Sequence, residues 1–217
     1  MSLTINPLDI KNSTISDCVV IVGDENAKDV IIGDDDLDCT GYVIPENDIT
    51  LVSSTMDREV PVSKDNVKVV LIHVGTASFD KGIATNVNDI FDQYQLMLQQ
   101  VSVQYHNAKI LVSSVLPRAK QNLYQEEFER VNLEITRFND LVKNYCDGDE
   151  CLQFLDNDVV FKTDFEVSDH LYKIHNESGI HLGRQGLIML EDIFKDAIRD
   201  AYYEQKLQAD YNVRLST

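Results

Sequence analysis

Three short polar blocks of this sequence hold residue types that acid–base and nucleophilic chemistry needs. They are residues 23–26 (Gly-Asp-Glu-Asn), residues 75–78 (Gly-Thr-Ala-Ser) and residues 178–186, which include His181. A histidine can accept the proton of a neighbouring serine hydroxyl and so activate it as a nucleophile. The pattern therefore directs attention to His181 and to the serines that the fold could bring to it.

The elements around these blocks follow from hydrophobic patterning. Short, β-branched and nearly continuous apolar runs predict strands of a parallel sheet buried on both faces, at residues 18–22, 67–74 and 110–115. Apolar residues at helical spacing predict helices over residues 83–106, 123–145 and 185–207. A short strand is predicted at residues 152–155 and a candidate strand at residues 38–43, whereas the rest of residues 34–65 has no clear pattern.

Alternating strands and helices predict an α/β fold: a flavodoxin-like three-layer sandwich of about five parallel strands with helices on both faces. At 217 residues, the chain is expected to form a single domain over residues 1–217, with an ordered core from about residue 15 to residue 207. Ligands of such sheets lie outside the carboxyl ends of the strands. Two polar blocks follow predicted strands and the third precedes the last helix, so we expect them to form one cleft.

In order and spacing, the three blocks resemble those of the SGNH/GDSL hydrolases, which read Gly-Asp-Ser, Gly-Thr-Asn-Asp and Asp-Gly-x-His-Leu-x-x-x-Gly. Residues 73–76 (His-Val-Gly-Thr), residues 112–118 (Val-Ser-Ser-Val-Leu-Pro-Arg) and the later Asn132 and Asn139 extend the similarity over nearly the whole chain. The stretch 113–118 most resembles the branch of that family found in non-LTR retrotransposons and related animal genes. The resemblance implies an SGNH-hydrolase-like fold.

Members of that family use a serine nucleophile, a histidine oriented by an aspartate, and an oxyanion hole that includes a glycine amide and an asparagine side chain. By the same resemblance this sequence keeps only the histidine, and the vestigial positions are Glu25, Glu46, Ala77, Ser178 and His181. A carboxylate at position 25 is a poor nucleophile toward esters. Losing the asparagine donor costs about 2.7–4 kcal/mol of transition-state stabilisation. We therefore expect a catalytically inactive, pseudo-esterase domain that acts as a protein-interaction or scaffold module.

The retained polar residues then need other roles. We expect Glu25, at a helix N-terminus, to pair with His181 and so to tie the last loop to the first. Arg184 is expected to balance the carboxylates of Asp24 and Glu25, or to bind an anionic ligand, and His73 to be a hydrogen-bonded core residue. Candidate stand-ins for the orienting aspartate are Asp169, His175 and Glu177. The candidate ligand-binding residues of the cleft are Asp24, Glu25, Asn26, Gly75, Thr76, Ser78, His181 and Arg184.

Composition limits the partners of the chain. With 37 acidic against 19 basic residues, the net charge of -18 repels nucleic-acid phosphates and anionic lipids and favours a basic protein partner. Self-association through the last helix, around Tyr202 and Tyr203, is the other interaction we consider. No apolar leader follows Met1 and no window approaches the roughly 18 unbroken apolar residues of a membrane span, so we expect an intracellular protein, cytoplasmic or nuclear, without membrane contact. Cys146 and Cys151 lack the spacing of a metal site, and we expect no metal and no cofactor.

Two other functions stay open at the level of the sequence. One is an active ester hydrolase with relocated catalytic residues, for example Ser53, Ser54 or Ser78 acting with His181. The other is a non-catalytic binder of a small molecule or acyl group in the cleft. Such a binder would be stabilised against heat by its ligand without turning it over.

Overall fold

The central element of the computed structural model is a parallel five-stranded sheet. The structure describes residues 17–28, 37, 39–79, 86–120, 125–164, 166–173 and 179–215. The strands are β1 (Asp17–Gly23), β2 (Cys39–Pro45), β3 (Val67–His73), β4 (Lys109–Ser113) and β5 (Leu152–Leu155), in the order β2-β1-β3-β4-β5. All four neighbouring pairs are parallel. This is the flavodoxin-like order, so the predicted fold class is confirmed.

Helices cover both faces of the sheet. The helices are α1 (Val52–Glu59), α2 (Val87–Gln104), α3 (Gln125–Cys146), the single turn α4 (Asp158–Phe161) and the long α5 (Arg184–Leu215). Alternate residues of β1 point to opposite sides: Val20 and Val22 join the core shared with α1, α2 and α3, whereas Val19 and Ile21 join the core shared with α5. Because strand residues alternate between faces, a strand buried on both sides reads as a continuous apolar run. The three layers are therefore α1–α3, the sheet, and α5.

Shorter elements complete the described chain. A two-stranded antiparallel hairpin, β6 (Lys162–Thr163) and β7 (Glu166–Val167), follows α4. Single 3-10 turns lie at Lys64–Asn66, Thr76–Phe79 and Asp169–Leu171. Within the described residues, no helix combines the length and the apolar composition that crossing a membrane requires.

Several predicted boundaries differ from the structure. Helix α1 occupies the stretch that had no clear pattern; it is only 8 residues long and buries Val52, Thr55 and Met56. Helix α2 begins at Val87 rather than near residue 83, since the side chain of Asn86 caps it by accepting from the amide of Asn88. Helix α5 continues to Leu215, beyond its predicted end at residue 207. Residues 203–215 contain no glycine or proline to stop it.

Candidate functional site

The first two polar blocks meet at Asp24, just beyond the end of β1. One carboxylate oxygen of Asp24 accepts the hydroxyl of Thr76 at 2.7 Å, and the other accepts the backbone N–H of Asn26 at 2.9 Å. His73 Nε2 lies 3.8 Å from the same side chain. Asp24 is buried. It therefore joins the ends of β1 and β3 in the way that the convergence of strand ends predicts.

The first block also holds the loop that carries His181. The side-chain amide of Asn26 donates to the carbonyl of Ile180 at 3.0 Å, and its oxygen accepts the N–H of Leu182 at 3.1 Å. Asn26 thus binds the backbone on either side of His181. Since Asn26 is buried, both of these hydrogen bonds replace contacts with water that its amide would otherwise need. Hydrogen bonds therefore join all three polar blocks at the carboxyl-end edge of the sheet.

Glu25 and His181 are close together at this edge. Glu25 Oε2 lies 3.9 Å from His181 Nδ1, and Glu25 Oε1 lies 3.5 Å from Lys28 Nζ. The predicted contact is present, but the Glu25 side chain is 65% exposed and that of His181 is 34% exposed. Ion pairs at such exposure contribute little to stability, typically about 0–1 kcal/mol. The carboxylate of Glu25 therefore faces solvent at the carboxyl-end edge of the sheet.

Glu46 follows β2 and caps the turn into α1. Its backbone N–H donates to the carbonyl of Gly23 at 2.8 Å. Its carboxylate accepts the N–H groups of Asn47 and Asp48 and the hydroxyl of Thr55, at 2.9, 3.0 and 2.8 Å. Both the amide and the side chain of Glu46 are therefore engaged in local structure.

Ala77 and Ser78 lie in the 3-10 turn Thr76–Phe79 and are partly exposed. The turn starts from Gly75, whose φ of +119° lies in a region that other residues rarely adopt. The N–H of Ser78 donates to the carbonyl of Gly75 at 3.0 Å. Because residue 77 is alanine, its side chain offers no hydrogen-bond donor at this edge. Ser178, together with His175 and Glu177, lies outside the described residues.

Three further expectations concern residues near this edge: Arg184, Asp169 and the serines of α1. Arg184, the first residue of α5, is exposed, whereas Asp24 contacts Thr76 and His73, and Glu25 contacts Lys28 and His181. The balancing role of Arg184 stays a prediction. Asp169 accepts the backbone N–H of Lys120 at 3.1 Å. The hydroxyls of the candidate nucleophiles on α1 have other partners: Ser53 donates to Gln104 of α2 and Ser54 to the carbonyl of Leu51.

Behind the edge lies a buried polar network that the sequence did not reveal. Asn157 donates from its side chain to Ser113 Oγ and to the carbonyl of Ser114, both at 2.8 Å. Its backbone N–H donates to Ser114 Oγ at 3.0 Å. Ser113 Oγ lies 2.9 Å from His73 Nδ1. Because a hydroxyl can accept two hydrogen bonds and donate one, Ser113 can pair with either tautomer of the neutral His73 ring while it accepts from Asn157.

His73 is a hydrogen-bonded core residue, as predicted. The ring is 1% exposed and packs edge-on against Phe194 of α5, with ring centroids 5.4 Å apart. Burial lowers the pKa of His73 below its usual value, because the protonated ring would lose its hydration; the nearby Asp24 carboxylate opposes this effect in part. The folded protein therefore holds His73 neutral.

Two asparagines of α3 fix the loop that follows β4. The side-chain amide of Asn139 pairs with both the N–H and the carbonyl of Val115, at 3.0 and 2.9 Å. Asn132 pairs in the same way with Arg118, at 2.8 and 3.1 Å. The hydroxyl of Tyr172 donates to the carbonyl of Pro117 within the same loop. The two asparagines that contributed to the family resemblance thus have an architectural role.

None of the four cysteines forms a disulfide in the structure. Burial at the end of α3 raises the pKa of Cys146 to about 12, with the Asp147 and Asp149 carboxylates adding to the effect. Among the residues that the structure describes, no cluster of three or more His, Cys, Asp or Glu side chains could hold a metal ion.

Comparisons with known proteins find structural relatives of this chain among solved structures. No protein-family model and no curated protein sequence matches the chain. Solved structures do. A Streptococcus pneumonia protein described as a platelet activating factor aligns with a TM-score of 0.68 at 17% identity, covering 86% of each chain. A GDSL-like lipase from Bacteroides thetaiotaomicron aligns with a TM-score of 0.62 at 18% identity, over 85% of this chain and 88% of the lipase. A carbohydrate acetylesterase from Sinorhizobium meliloti aligns with a TM-score of 0.59 at 16% identity, over 85% of this chain and 99% of the esterase.

This chain has the fold of the GDSL-like lipases and esterases. The likeness extends over almost all of the chain, in line with the resemblance seen in the three polar blocks. In this GDSL-like fold, the positions that the resemblance assigns to the nucleophile and the catalytic histidine lie side by side, as Glu25 and His181. At these low identities the comparison establishes the fold, and the chemistry has to be argued from the residues present.

Proposed function

We propose that this chain is a GDSL-like domain that does not hydrolyse esters and acts as a protein-interaction module. The observation that carries the proposal is the carboxylate of Glu25 at the nucleophile position, 3.9 Å from His181. Attack by a carboxylate on an ester gives an anhydride rather than a serine ester, and a carboxylate is a weak nucleophile for that reaction. The histidine then has no hydroxyl at that position from which to take a proton.

The surroundings of Glu25 support the same proposal. An oxyanion hole needs N–H donors aimed at the developing negative charge. At the position matched to the glycine donor, the N–H of Glu46 already donates to the carbonyl of Gly23. At the position matched to the asparagine donor, Ala77 has no donor in its side chain. Meanwhile Asp24 and Asn26 hold the edge together. The edge thus keeps its architecture without two of the donors that acyl transfer uses.

We expect the purified chain to show no hydrolysis of short-chain aryl esters above the uncatalysed rate and no labelling by a fluorophosphonate probe. The measurement compares wild type with His181→Ala, with the Sinorhizobium meliloti acetylesterase as a positive control. Equal, background-level results for both forms support the proposal. Turnover that disappears in His181→Ala would contradict it, and the labelled serine could then be located by peptide mass spectrometry.

We further propose that the partner is a basic protein segment that contacts α5. The exposed face of this helix carries Asp192, Asp196, Asp200 and Glu204, spaced four residues apart. This acidic ridge extends about 18 Å, at about 1.5 Å per residue. Like charges four residues apart destabilise a helix, so cations that bind along the ridge relieve an internal repulsion. Within the chain, Arg199 contacts Asp196 at 3.2 Å.

Neutralising the ridge tests this partner. We expect the triple variant Asp192→Asn, Asp196→Asn, Asp200→Asn to weaken binding of a lysine- and arginine-rich helical peptide by about tenfold, with a smaller dependence on salt. A matched control makes the same charge change on α3, with Glu126→Gln, Glu129→Gln and Asp140→Asn. Equal weakening by both triples, measured by fluorescence anisotropy, would mean that net charge alone attracts the peptide and that the ridge is no site.

A further inference from the structure

The solvent face of α2 from Gln93 to Val103 carries no charge, although Asp89 and Asp92 are exposed in the first turns of the helix. Between residues 93 and 103, the exposed side chains are Gln93, Leu96, Gln99, Gln100 and Val103. Charged residues make up 26% of the chain, and α2 contains neither lysine nor arginine. Leu96 is 56% exposed and Val103 is 79% exposed. Two large aliphatic side chains thus lie in the open, two helical turns apart on a neutral surface.

Helix α1 extends this surface. A groove of about 780 Å³ runs between the two helices, lined by Ser53 and Ser54 of α1 and by the exposed residues of α2. Leu51, at the start of α1, is also exposed. The two charged groups in the groove, Asp57 and Lys64, pair with each other at 2.5 Å and so cancel. We call this surface the neutral face: Leu51, Ser53, Ser54, Leu96, Gln99, Gln100 and Val103.

We propose that the neutral face binds the neutral face of a second copy of this chain, giving a two-fold symmetric dimer. Depletion of charge around exposed apolar side chains is the compositional mark of the centre of a protein interface. A basic partner would gain no electrostatic attraction here, since its complement is the acidic ridge on α5. Two copies that each carry a net charge of -18 repel one another over acidic surfaces and approach most easily where charge is absent.

The spacing on α2 fits a two-fold axis. In a symmetric interface, if residue i contacts residue j, then j contacts i. An antiparallel pair of α2 helices with its axis between Gln99 and Gln100 brings Leu96 of one copy against Val103 of the other. The same axis brings Gln99 against Gln100, whose side-chain amides can donate to and accept from each other. This arrangement buries both apolar side chains and gives both central glutamines hydrogen-bond partners.

The expected dimer is weak and depends on salt. The α2 seam from Gln93 to Val103 is about 15 Å long, so the α1 residues of the neutral face are needed to approach the ~800 Å² per partner of a standard interface. We therefore expect a dissociation constant on the order of micromolar or weaker. Salt screens the repulsion between the two acidic copies, so self-association strengthens as salt rises. Binding of a basic partner changes in the opposite direction.

Sedimentation velocity of the full chain, over a range of concentrations in about 0.05 M and about 0.5 M salt, tests the proposal. We expect a monomer–dimer equilibrium that shifts several-fold toward dimer at the higher salt. Leu96→Glu and Val103→Glu should each weaken it by at least about tenfold, because each buries a carboxylate in the interface. Val159→Glu is the matched control, since Val159 on α4 has the same 79% exposure as Val103. Thermal melts of the three variants serve as the control that each stays folded.

A register test makes the proposal sharper. The proposed axis places position 99 opposite position 100 of the other copy, so the double variant Gln99→Lys, Gln100→Glu forms two intermolecular ion pairs and should dimerise more tightly than either single variant. A monomer under all conditions, or a dimer that Leu207→Glu on α5 disrupts while Leu96→Glu does not, overturns the proposal. The inference stands apart from the proposed function, because ester turnover in the hydrolysis assay would leave the neutral face unaffected.

Discussion

Converting three positions together is expected to confer ester hydrolysis, whereas converting position 25 alone is not. The triple variant Glu25→Ser, Ala77→Asn, Ser178→Asp places a hydroxyl beside His181, an oxyanion donor in the 3-10 turn and an orienting acid before the histidine. Mispositioning the histidine of a triad costs about 10⁴ in kcat, and losing one oxyanion donor costs about 10²–10³. We therefore expect kcat/KM of the triple variant for aryl esters to exceed that of Glu25→Ser by at least about 10³.

The control for this comparison adds His181→Ala to the triple variant, and its activity should fall back to that of Glu25→Ser. Far-UV circular dichroism and thermal melts of each form show whether the fold is unchanged. Equal activity of Glu25→Ser and the triple variant would contradict the expectation. It would mean that groups already present supply the oxyanion donor and the orienting acid, and that Glu25 alone keeps the site silent.

Acidification should destabilise the protein through His73. Because burial holds the pKa of this ring below its usual 6.5, the folded state keeps His73 neutral while the unfolded chain takes up a proton below pH 6.5. The stability that His73 contributes is thus fully present above pH 6.5 and is lost as the pH falls. One proton changes the free energy of unfolding by about 1.4 kcal/mol per pH unit. We expect a loss of up to about 2 kcal/mol between pH 6.5 and about pH 5 from this group.

Urea denaturation of wild type and His73→Asn at several pH values measures this effect. Asparagine can keep a hydrogen bond to Ser113 but cannot titrate, so the variant should be less stable at neutral pH yet lose less stability on acidification. The matched control is His106→Asn, which changes an exposed histidine just after α2 and should leave the pH dependence as in wild type. Identical pH dependence in wild type and His73→Asn would show that His73 is not held neutral by the fold.

The sheet and the convergence of the polar blocks could be read from the sequence because each depends on local pattern. Strands β1, β3 and β4 are continuous apolar runs, which leave little alternative to a doubly covered parallel sheet. Parallel strands then end at the same edge, so residues 23–26 and 75–78 had to come together. The contact of Glu25 with His181 followed from the same reasoning combined with the family resemblance.

What could not be read depends on contacts between distant side chains. Asn157 follows β5 and resembles any polar loop residue, and only the folded chain brings it to Ser113 and Ser114. Asn26 was a candidate ligand-binding residue, but its amide holds the backbone on both sides of His181. Sequence reasoning counts charges, whereas the fold satisfies Asp24 with a hydroxyl and a backbone amide, and places the buried His73 ring 3.8 Å from it.

The paired amides of Asn132 and Asn139 make the loop after β4 part of a larger cooperative unit. Each side chain offers the backbone the donor and acceptor that a neighbouring strand would offer. Separating residues 115–118 from α3 would break four hydrogen bonds, two of them in the buried Asn139–Val115 pair. Local openings have low cost where backbone hydrogen bonds face solvent. We therefore expect this loop to open together with α3 rather than on its own, so that surface residues at this edge of the sheet can change without altering its shape.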